Sequence, residues 1–356
     1  MRWLLLVPAL LAGCFHWIEV DEPLKLLSQA LCLGALAFLG RDRRALWLWA
    51  WVGHQWLAGI PLNQGAAPFL YLALLRPPAR FVYRLLTLLG ALIASHAVVS
   101  FLAFRLAGGF HGWRPEVKDP WLQALVWPYY CGHYPRGAHA IGFFLNDNLL
   151  GLWCVAMLCL SLEVPGRLRL LCVPPLLLAV GWSYSRSAYL ALAGACGSLA
   201  IRKNRYLLLV PTLIPLLFLP FATGLDRWRF SSDWTSTLGG RAERLHQFLA
   251  EGSFWGGGPV GLVDSQWLKT GLEQGWSGLL IQLGFCFSVV RRARPGVQAA
   301  LLALLLGGVG CDLWDSPHLA ATFMLLCACS FQDNPASLGG TSDNQMASVP
   351  VDAGGY

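Results

Sequence analysis

The stretch Val82–Phe104 reads VYRLLTLLGALIASHAVVSFLAF and carries one charged side chain, Arg84, close to its start. An α-helix needs about 20 predominantly apolar residues to cross the hydrocarbon core of a bilayer. The stretch therefore predicts a membrane-spanning helix. Comparable apolar runs follow one another toward both ends of the chain, separated by charged or Pro/Gly-containing breaks.

The composition agrees with this interpretation. Hydrophobic residues make up 56% of the chain and charged residues 13%, and the mean hydropathy is +0.53. Soluble domains carry about 25% charged residues. We therefore predict an all-α, polytopic membrane protein with about 12 transmembrane helices. The predicted spans are Trp3–Trp17, Leu24–Gly40, Leu46–Leu62, Ala66–Leu75, Val82–Phe104, Ile141–Leu162, Leu168–Ser183, Ala188–Ile201, Tyr206–Ala222, Trp276–Val290, Val297–Gly310 and His318–Phe331.

The charge distribution predicts the orientation of these spans. With the N-terminus inside, the short loops predicted to be cytoplasmic hold more than half of the 26 Lys and Arg residues, as the positive-inside rule requires. The net charge of +7 therefore reflects orientation and does not indicate nucleic-acid binding. We predict one transmembrane domain over residues 1–331, with outer loops at about 105–141 and 223–273, and a disordered cytoplasmic tail over 332–356.

Polar residues near the predicted outer membrane surface are candidates for a functional site. Arg186 lies in a turn so short that its guanidinium falls at or below the headgroups, where it either meets an anion or extends to the interface as a helix-end arginine. Asn146 and Asn148 open the sixth span, where they either contact a ligand or cap the helix. Arg136 in the preceding loop is a further candidate.

The second outer loop carries the longest polar insert, Thr223–Glu273. Residues 240–250 predict a helix on which Arg241 and Arg244 share a face with Leu245 and Phe248. Guanidinium groups grip phosphate oxygens in pairs, so this face suits a lipid-linked phosphate. The alternative is an ordinary solvated helix at the membrane interface.

Two further features follow in the same insert. The sequence Gly256-Gly257-Gly258-Pro259 predicts a tight loop whose backbone can approach a ligand closely, although it lacks the context of a phosphate-binding loop. Asp264 precedes a predicted helix over 266–274. It is either the N-cap of that helix or a carboxylate beside the arginines.

These segments, in this order, resemble the bacterial O-antigen ligase and O-antigen polymerase superfamily, membrane glycosyltransferases of the polytopic GT-C-like type. Gly142–Gly151 is similar to the family's Gly-x-x-x-Asn-x-Asn segment, and Ser185–Ala188 to its Ser-Arg turn. Gly240-Arg241 is similar to the arginine that begins the large outer loop, and Asp264–Leu279 to the segment that closes it. Family ligases typically carry His where this chain has Asp264, which favours a polymerase.

The resemblance implies the transfer of a glycan between polyprenyl-diphosphate-linked oligosaccharides on the outer face of the cytoplasmic membrane. Arg186 and Arg241 would stabilise the leaving diphosphate, with Asp264 as general base and no metal or cofactor. Arg244, Arg136, Asn146, Asn148 and Glu273 would bind substrate, Glu273 also being the reserve base. The implied partners are the lipid-linked donor and acceptor, the bilayer and a polysaccharide chain-length regulator.

Three other functions remain open. An O-antigen ligase would transfer the finished glycan to lipid A core. A transporter or flippase of lipid-linked sugar would also show many spans and buried arginines, although no repeated halves are visible in the sequence. A polyprenyl-phosphate-sugar transferase would use acidic residues in the first outer loop, where Glu19, Asp21 and Glu22 stand in a connection of only a few residues.

Overall fold

The computed structural model describes residues 2–8, 22–39, 44–62, 65–109, 116–130, 139–144, 146–203, 241–260, 263 and 265–332. Within these ranges the chain is helical and contains no β-strand, as predicted. The α-helices are α1 (Glu22–Leu39), α2 (Arg44–Leu57), α3 (Ala79–Leu106), α4 (Pro120–Val126), α5 (Asp147–Leu160), α6 (Gly166–Ser183), α7 (Arg186–Lys203), α8 (Arg241–Glu251), α9 (Gln266–Val290), α10 (Pro295–Gly307) and α11 (Pro317–Gln332).

The prediction of about 12 transmembrane helices is wrong. In the described part of the chain, only α3 is both long and apolar enough to cross a membrane. Several predicted spans form helices of fewer than the about 20 residues that a crossing needs, such as α10 with 13 residues and α11 with 16. The predicted span Tyr206–Ala222 lies wholly outside the described residues, and Trp3–Trp17 lies outside them from residue 9 onward. The predicted tail also lies outside them, apart from Gln332.

The segment Ala67–Leu74 shows why the count was too high. It forms a 3-10 helix in which all eight residues are buried inside the protein. Burial in a protein core and immersion in lipid both select apolar side chains, so hydropathy alone does not distinguish them. The sixth predicted span is shortened for a different reason. The Asn146 side chain accepts hydrogen bonds from the amides of Asn148 and Leu149, so helix α5 begins only at Asp147.

Close helix packing builds the core around α10, which lies against α5 and α7. Glycines sit where neighbouring helices approach one another. A Cβ on Gly307 would lie 2.2 Å from Leu152 Cδ1, and a Cβ on Gly194 would lie 2.0 Å from Leu306 Cδ1. On the other side of α5, a Cβ on Gly151 would lie 2.5 Å from Ser183 Oγ. The loop that follows α10 is thereby held close to the turn between α6 and α7.

Helix α9 is broken at Gly275, whose φ of 68° and ψ of −171° only glycine adopts readily. The Gly252–Val260 loop fills the break. The amides of Gly257 and Gly258 donate to the carbonyls of Leu272 and Glu273, and the amides of Trp276 and Ser277 donate to the carbonyls of Ser253 and Phe254. The break therefore leaves few backbone groups unsatisfied.

Candidate functional site

The loop 308–316, between α10 and α11, is where distant parts of the chain meet. The backbone amide of Gln266, at the start of α9, donates to the carbonyl oxygens of Gly308 at 2.8 Å and Cys311 at 3.2 Å. The Gln266 side chain accepts a hydrogen bond from the Trp314 amide at 2.8 Å. These three bonds fix the N-terminal end of α9 against the loop.

The turn between α6 and α7 reaches the same loop. Tyr184 adopts a left-handed conformation with φ of 49°, and the chain then re-enters a helix at Arg186. The Ser185 hydroxyl donates to Asn148 Oδ1 at 2.9 Å and accepts from the Ala188 amide at 3.1 Å. A Cβ on Gly310 would lie 2.1 Å from Ser187 Oγ. The two polar segments that sequence analysis selected are thus joined to each other and to the loop.

Two carboxylates of the loop form an ionic cluster with a lysine of α9, and we name Lys269, Asp312 and Asp315 the Lys269 cluster. Lys269 Nζ donates to Asp312 Oδ2 at 3.0 Å and also contacts Asp315 Oδ2. The Lys269 side chain is only 14% exposed, against 23% for Asp312 and 32% for Asp315. One lysine therefore bonds to two partly buried carboxylates.

Burial and the neighbouring carboxylate act together on Asp312. Desolvation, followed by repulsion from Asp315, raises the pKa of Asp312 to about 7, although Lys269 opposes the shift. Burial lowers the pKa of Lys269, but attraction to Asp312 and Asp315 outweighs burial, and the pKa rises overall. The lysine remains charged at neutral pH, whereas Asp312 can exchange a proton there.

A pocket opens beside the cluster and is lined by Lys269, Glu273 and Asp315 together with amide and aromatic side chains. Glu273 is buried, and its carboxylate accepts a hydrogen bond from the Val260 amide at 3.3 Å. Burial is the main reason that the pKa of Glu273 is raised, with Lys269 acting in the opposite direction. A second carboxylic acid with a raised pKa therefore faces the Lys269 cluster.

The floor of the pocket is a hydrogen-bonded network of buried polar side chains. Gln282 donates to Gln274 Oε1 at 3.0 Å and accepts from the indole of Trp314 at 3.0 Å. Thr270 links Gln282 to Gln266, with bonds of 3.2 Å and 3.0 Å. Buried polar groups with satisfied partners hold a single arrangement, so this network keeps Lys269 and Glu273 in position.

Helix α8 begins and ends close to the predicted positions. Phe248 is buried, and its ring lies 4.4 Å from that of Trp276 on α9. Arg244 is exposed and donates to Gln247 within the same helix at 2.9 Å. Arg241 occupies the first position of α8, and its side chain lies outside the described part of the structure.

The predicted site residues are therefore only partly brought together. Asn148 and Arg186 are neighbours through Ser185, and Glu273 lies on α9 at the pocket. Asn146 is the N-cap of α5, which is the alternative role considered for it. Asp264 and Arg136 lie outside the described residues.

The glycine-rich loop approaches protein backbone and not an open ligand site. A Cβ on Gly256 would lie 2.2 Å from the Glu273 carbonyl oxygen, and the amides of Gly256, Gly257 and Gly258 all donate within the protein. Asp312 and Asp315 were not predicted as site residues from the sequence. The available signal was a pair of carboxylates between two apolar segments, since such charges are costly near lipid and tend to be functional.

The comparisons with known proteins add no assignment. No protein-family model matches the sequence, and no curated protein or solved structure matches it significantly. Among the described residues, no group of three or more His, Cys, Asp or Glu is arranged to hold a metal ion.

Proposed function

We propose that this protein is a glycosyltransferase that polymerises polyprenyl-diphosphate-linked oligosaccharide repeat units. The observation that carries the proposal is the convergence of separate segments on loop 308–316. The Ser185–Ser187 turn, which bonds to Asn148, reaches it from one side, and the start of α9 reaches it from the other. Three of the four motifs that resemble O-antigen polymerases contribute to this meeting point or adjoin it.

The chemistry of glycosyl transfer requires two kinds of group. The acceptor hydroxyl forms a bond to the anomeric carbon while the bond from that carbon to the diphosphate oxygen breaks, so negative charge grows on the leaving group. Preorganised cations stabilise that charge. Arg186, half-buried at the first position of α7, is the described residue best suited to this role, and Arg241 is its proposed partner.

A carboxylate must accept the proton of the acceptor hydroxyl, and it does so best when its pKa lies near the pH at which the enzyme works. An ordinary Asp pKa of about 3.9 makes a weak base, whereas a pKa close to the operating pH is effective. Asp264 remains a candidate from the motif. The raised pKa of Asp312, on the loop where the motifs meet, makes Asp312 the described carboxylate best suited to accept the proton.

We place the protein in a membrane because of the surface of α3. This helix exposes Leu85, Leu88, Leu92, Val99 and Leu102 along one side. Large exposed apolar surfaces mark contacts with lipid or protein. A polyprenyl carrier also requires a bilayer, and we propose that the site faces the outer side of the cytoplasmic membrane.

The first test replaces Arg186. We expect Arg186→Ala to reduce polymer formation from purified lipid-linked repeat units by about a hundredfold, which is the scale for losing one group that stabilises transition-state charge. Arg186→Lys should retain part of the activity. Arg80→Ala, an exposed arginine at the start of α3, is the matched control and should behave as the unmodified protein. Equal polymer formation by Arg186→Ala and the control would contradict the assignment.

The choice of substrates distinguishes a polymerase from a ligase and from a transporter. Polymer ladders from lipid-linked repeat units alone support a polymerase. Product that appears only with lipid A core present indicates a ligase. Movement of lipid-linked sugar across a bilayer without any new glycosidic bond indicates a transporter.

A further inference from the structure

In the described part of the chain, helix α8 packs against the protein through the side that bears Phe248. Phe248 is buried against Trp276 and against Gly271, where a Cβ would lie 2.8 Å from its ring. The adjoining side exposes Leu245 and Leu249, which are 45% and 65% exposed. These two residues are four positions apart and therefore lie on the same face of the helix.

The loop after α8 adds two exposed aromatic side chains. Phe254 is 56% exposed and Trp255 is 66% exposed, with ring centroids 5.0 Å apart in an edge-to-face contact. The ring of Trp255 also stacks on that of His54, at 6.2 Å. The Trp255 ring is therefore held in place although its surface is open. We name Leu245, Leu249, Phe254 and Trp255 the α8 patch.

An apolar stripe on α9 begins where α9 contacts helix α8. Trp276, which contacts Phe248, is followed by Leu280, Leu283 and Phe287, all of them exposed. The spacings of four, three and four residues place these side chains on one face of the helix. The stripe contains no charged residue, and beyond it Arg291 and Arg292 are exposed.

This distribution of side chains fits a phospholipid surface. Tryptophan is enriched at membrane interfaces, and helices with an apolar face of Leu, Phe and Trp beside basic residues lie in the plane of the headgroups. Arg244, exposed on α8, supplies a cation next to the patch, where lipid phosphates carry the complementary charge. At the far end of the α9 stripe, Arg291 and Arg292 provide two further cations.

We propose that α8 and the Phe254–Trp255 loop lie in the headgroup layer of a phospholipid bilayer, with the α9 stripe against the acyl chains. Helix α9 also carries Lys269 and Glu273. Docking of α8 would therefore fix the height of the pocket relative to the lipid surface. The inference concerns lipid contact and does not require the proposed glycosyl transfer.

The test measures the surroundings of single positions in the full chain, reconstituted in phospholipid nanodiscs. A spin label is attached at Leu249→Cys and, separately, at Phe254→Cys. The matched control is Glu243→Cys, an exposed position on the opposite face of α8. The unmodified protein, treated in the same way, gives the background from native cysteines. Thermal unfolding of each variant checks that it is folded.

We expect the ratio of collisions with oxygen to collisions with a water-soluble nickel complex to be about fivefold higher at Leu249 and Phe254 than at Glu243, since oxygen concentrates in lipid. Equal, water-like ratios at all three positions would overturn the proposal. Protection of Leu249 and Phe254 from both reagents would also overturn it, because such protection indicates a protein partner. Polymer formation is not measured here, so failure of this test leaves the proposed reaction untouched.

Discussion

At the residue scale, the Lys269 cluster is the least expected feature of the molecule. Lys269 holds two carboxylates that are both partly withdrawn from water. Removing one partner of a buried ion pair is strongly destabilising, because the charge that remains has lost its counter-ion. We therefore expect the stability of this region to depend on pH, independently of any role in catalysis.

We predict that Asp312→Asn reduces this sensitivity. In the folded protein the pKa of Asp312 is raised to about 7, so the folded state binds its proton more tightly than the unfolded chain does. Its contribution is therefore fully present below the ordinary Asp pKa of about 4 and is lost as pH rises toward 7. Between pH 5 and pH 8 the melting temperature of the unmodified protein should fall by about a few degrees more than that of Asp312→Asn.

Glu116→Gln, at an exposed position, is the control for this measurement and should keep the pH dependence of the unmodified protein. An unchanged pH dependence in Asp312→Asn would show that this carboxyl titrates as it does in the unfolded chain. Asp315, Lys269 and Glu273 lie close by, and the first two interact directly with Asp312. The difference between variants is therefore more informative than either curve alone.

At the element scale, the break in α9 determines where the pocket lies. Gly275 interrupts the helix, and the Gly252–Val260 loop satisfies the backbone groups released on both sides. The same pairing brings the Val260 amide to Glu273, so the loop also holds a pocket carboxylate. A continuous helix would have no place for this loop.

We predict that Gly275→Ala destabilises the protein by about 2 kcal/mol or more, because its backbone conformation is strained for any residue with a Cβ. A Cβ there would also lie 2.4 Å from the Gly256 amide nitrogen and 2.5 Å from the Ser253 carbonyl oxygen. Hydrogen exchange should increase at residues 253–258, and thermal unfolding gives the loss of stability.

The matched control is Gly197→Ala on α7, where a Cβ meets no atom within 4 Å. Replacing a helical glycine in open space should stabilise the protein slightly, by about 0.5–1 kcal/mol. Similar stability changes in the two variants would mean that the conformation of Gly275 is not a constraint on the fold.

At the scale of the whole molecule, a closely packed helical core coexists with an unusually apolar surface. Leu171 on α6, Leu92 on α3 and Phe38 on α1 are each about two-thirds exposed or more. Exposing apolar area to water costs roughly 25 cal/mol per Å², so a surface of this kind is unfavourable in water. Lipid removes that cost.

We predict that the full chain, expressed in a bacterium, sediments with the membrane fraction and stays there after washing with alkaline carbonate, which strips peripheral proteins. Detergent should release it. The measurement is the fraction of protein in the pellet before and after each treatment. Recovery in the soluble fraction, as a folded and monodisperse protein, would contradict the membrane placement and with it the proposed docking of α8.

The sequence by itself determined the helical class, because apolar runs and their breaks reflect local physics. It also predicted helix α8, since the amphipathic spacing of that helix is local as well. The choice of Asn148, Arg186 and Glu273 as site residues stays a prediction. Hydropathy does not distinguish apolar segments buried in protein from segments that face lipid, so the sequence predicted too many membrane spans. Ala67–Leu74 belongs to the first kind.

Only the tertiary structure decided what meets at loop 308–316. Lys269 bonds to carboxylates more than forty positions away, and the glycine-rich loop meets the α9 backbone and no open site. Such contacts depend on how helices pack, and packing is set by many side chains at once. The close approaches at Gly307 and Gly194, which no periodicity reveals, bring the turn bearing Arg186 and the Lys269 cluster onto one loop.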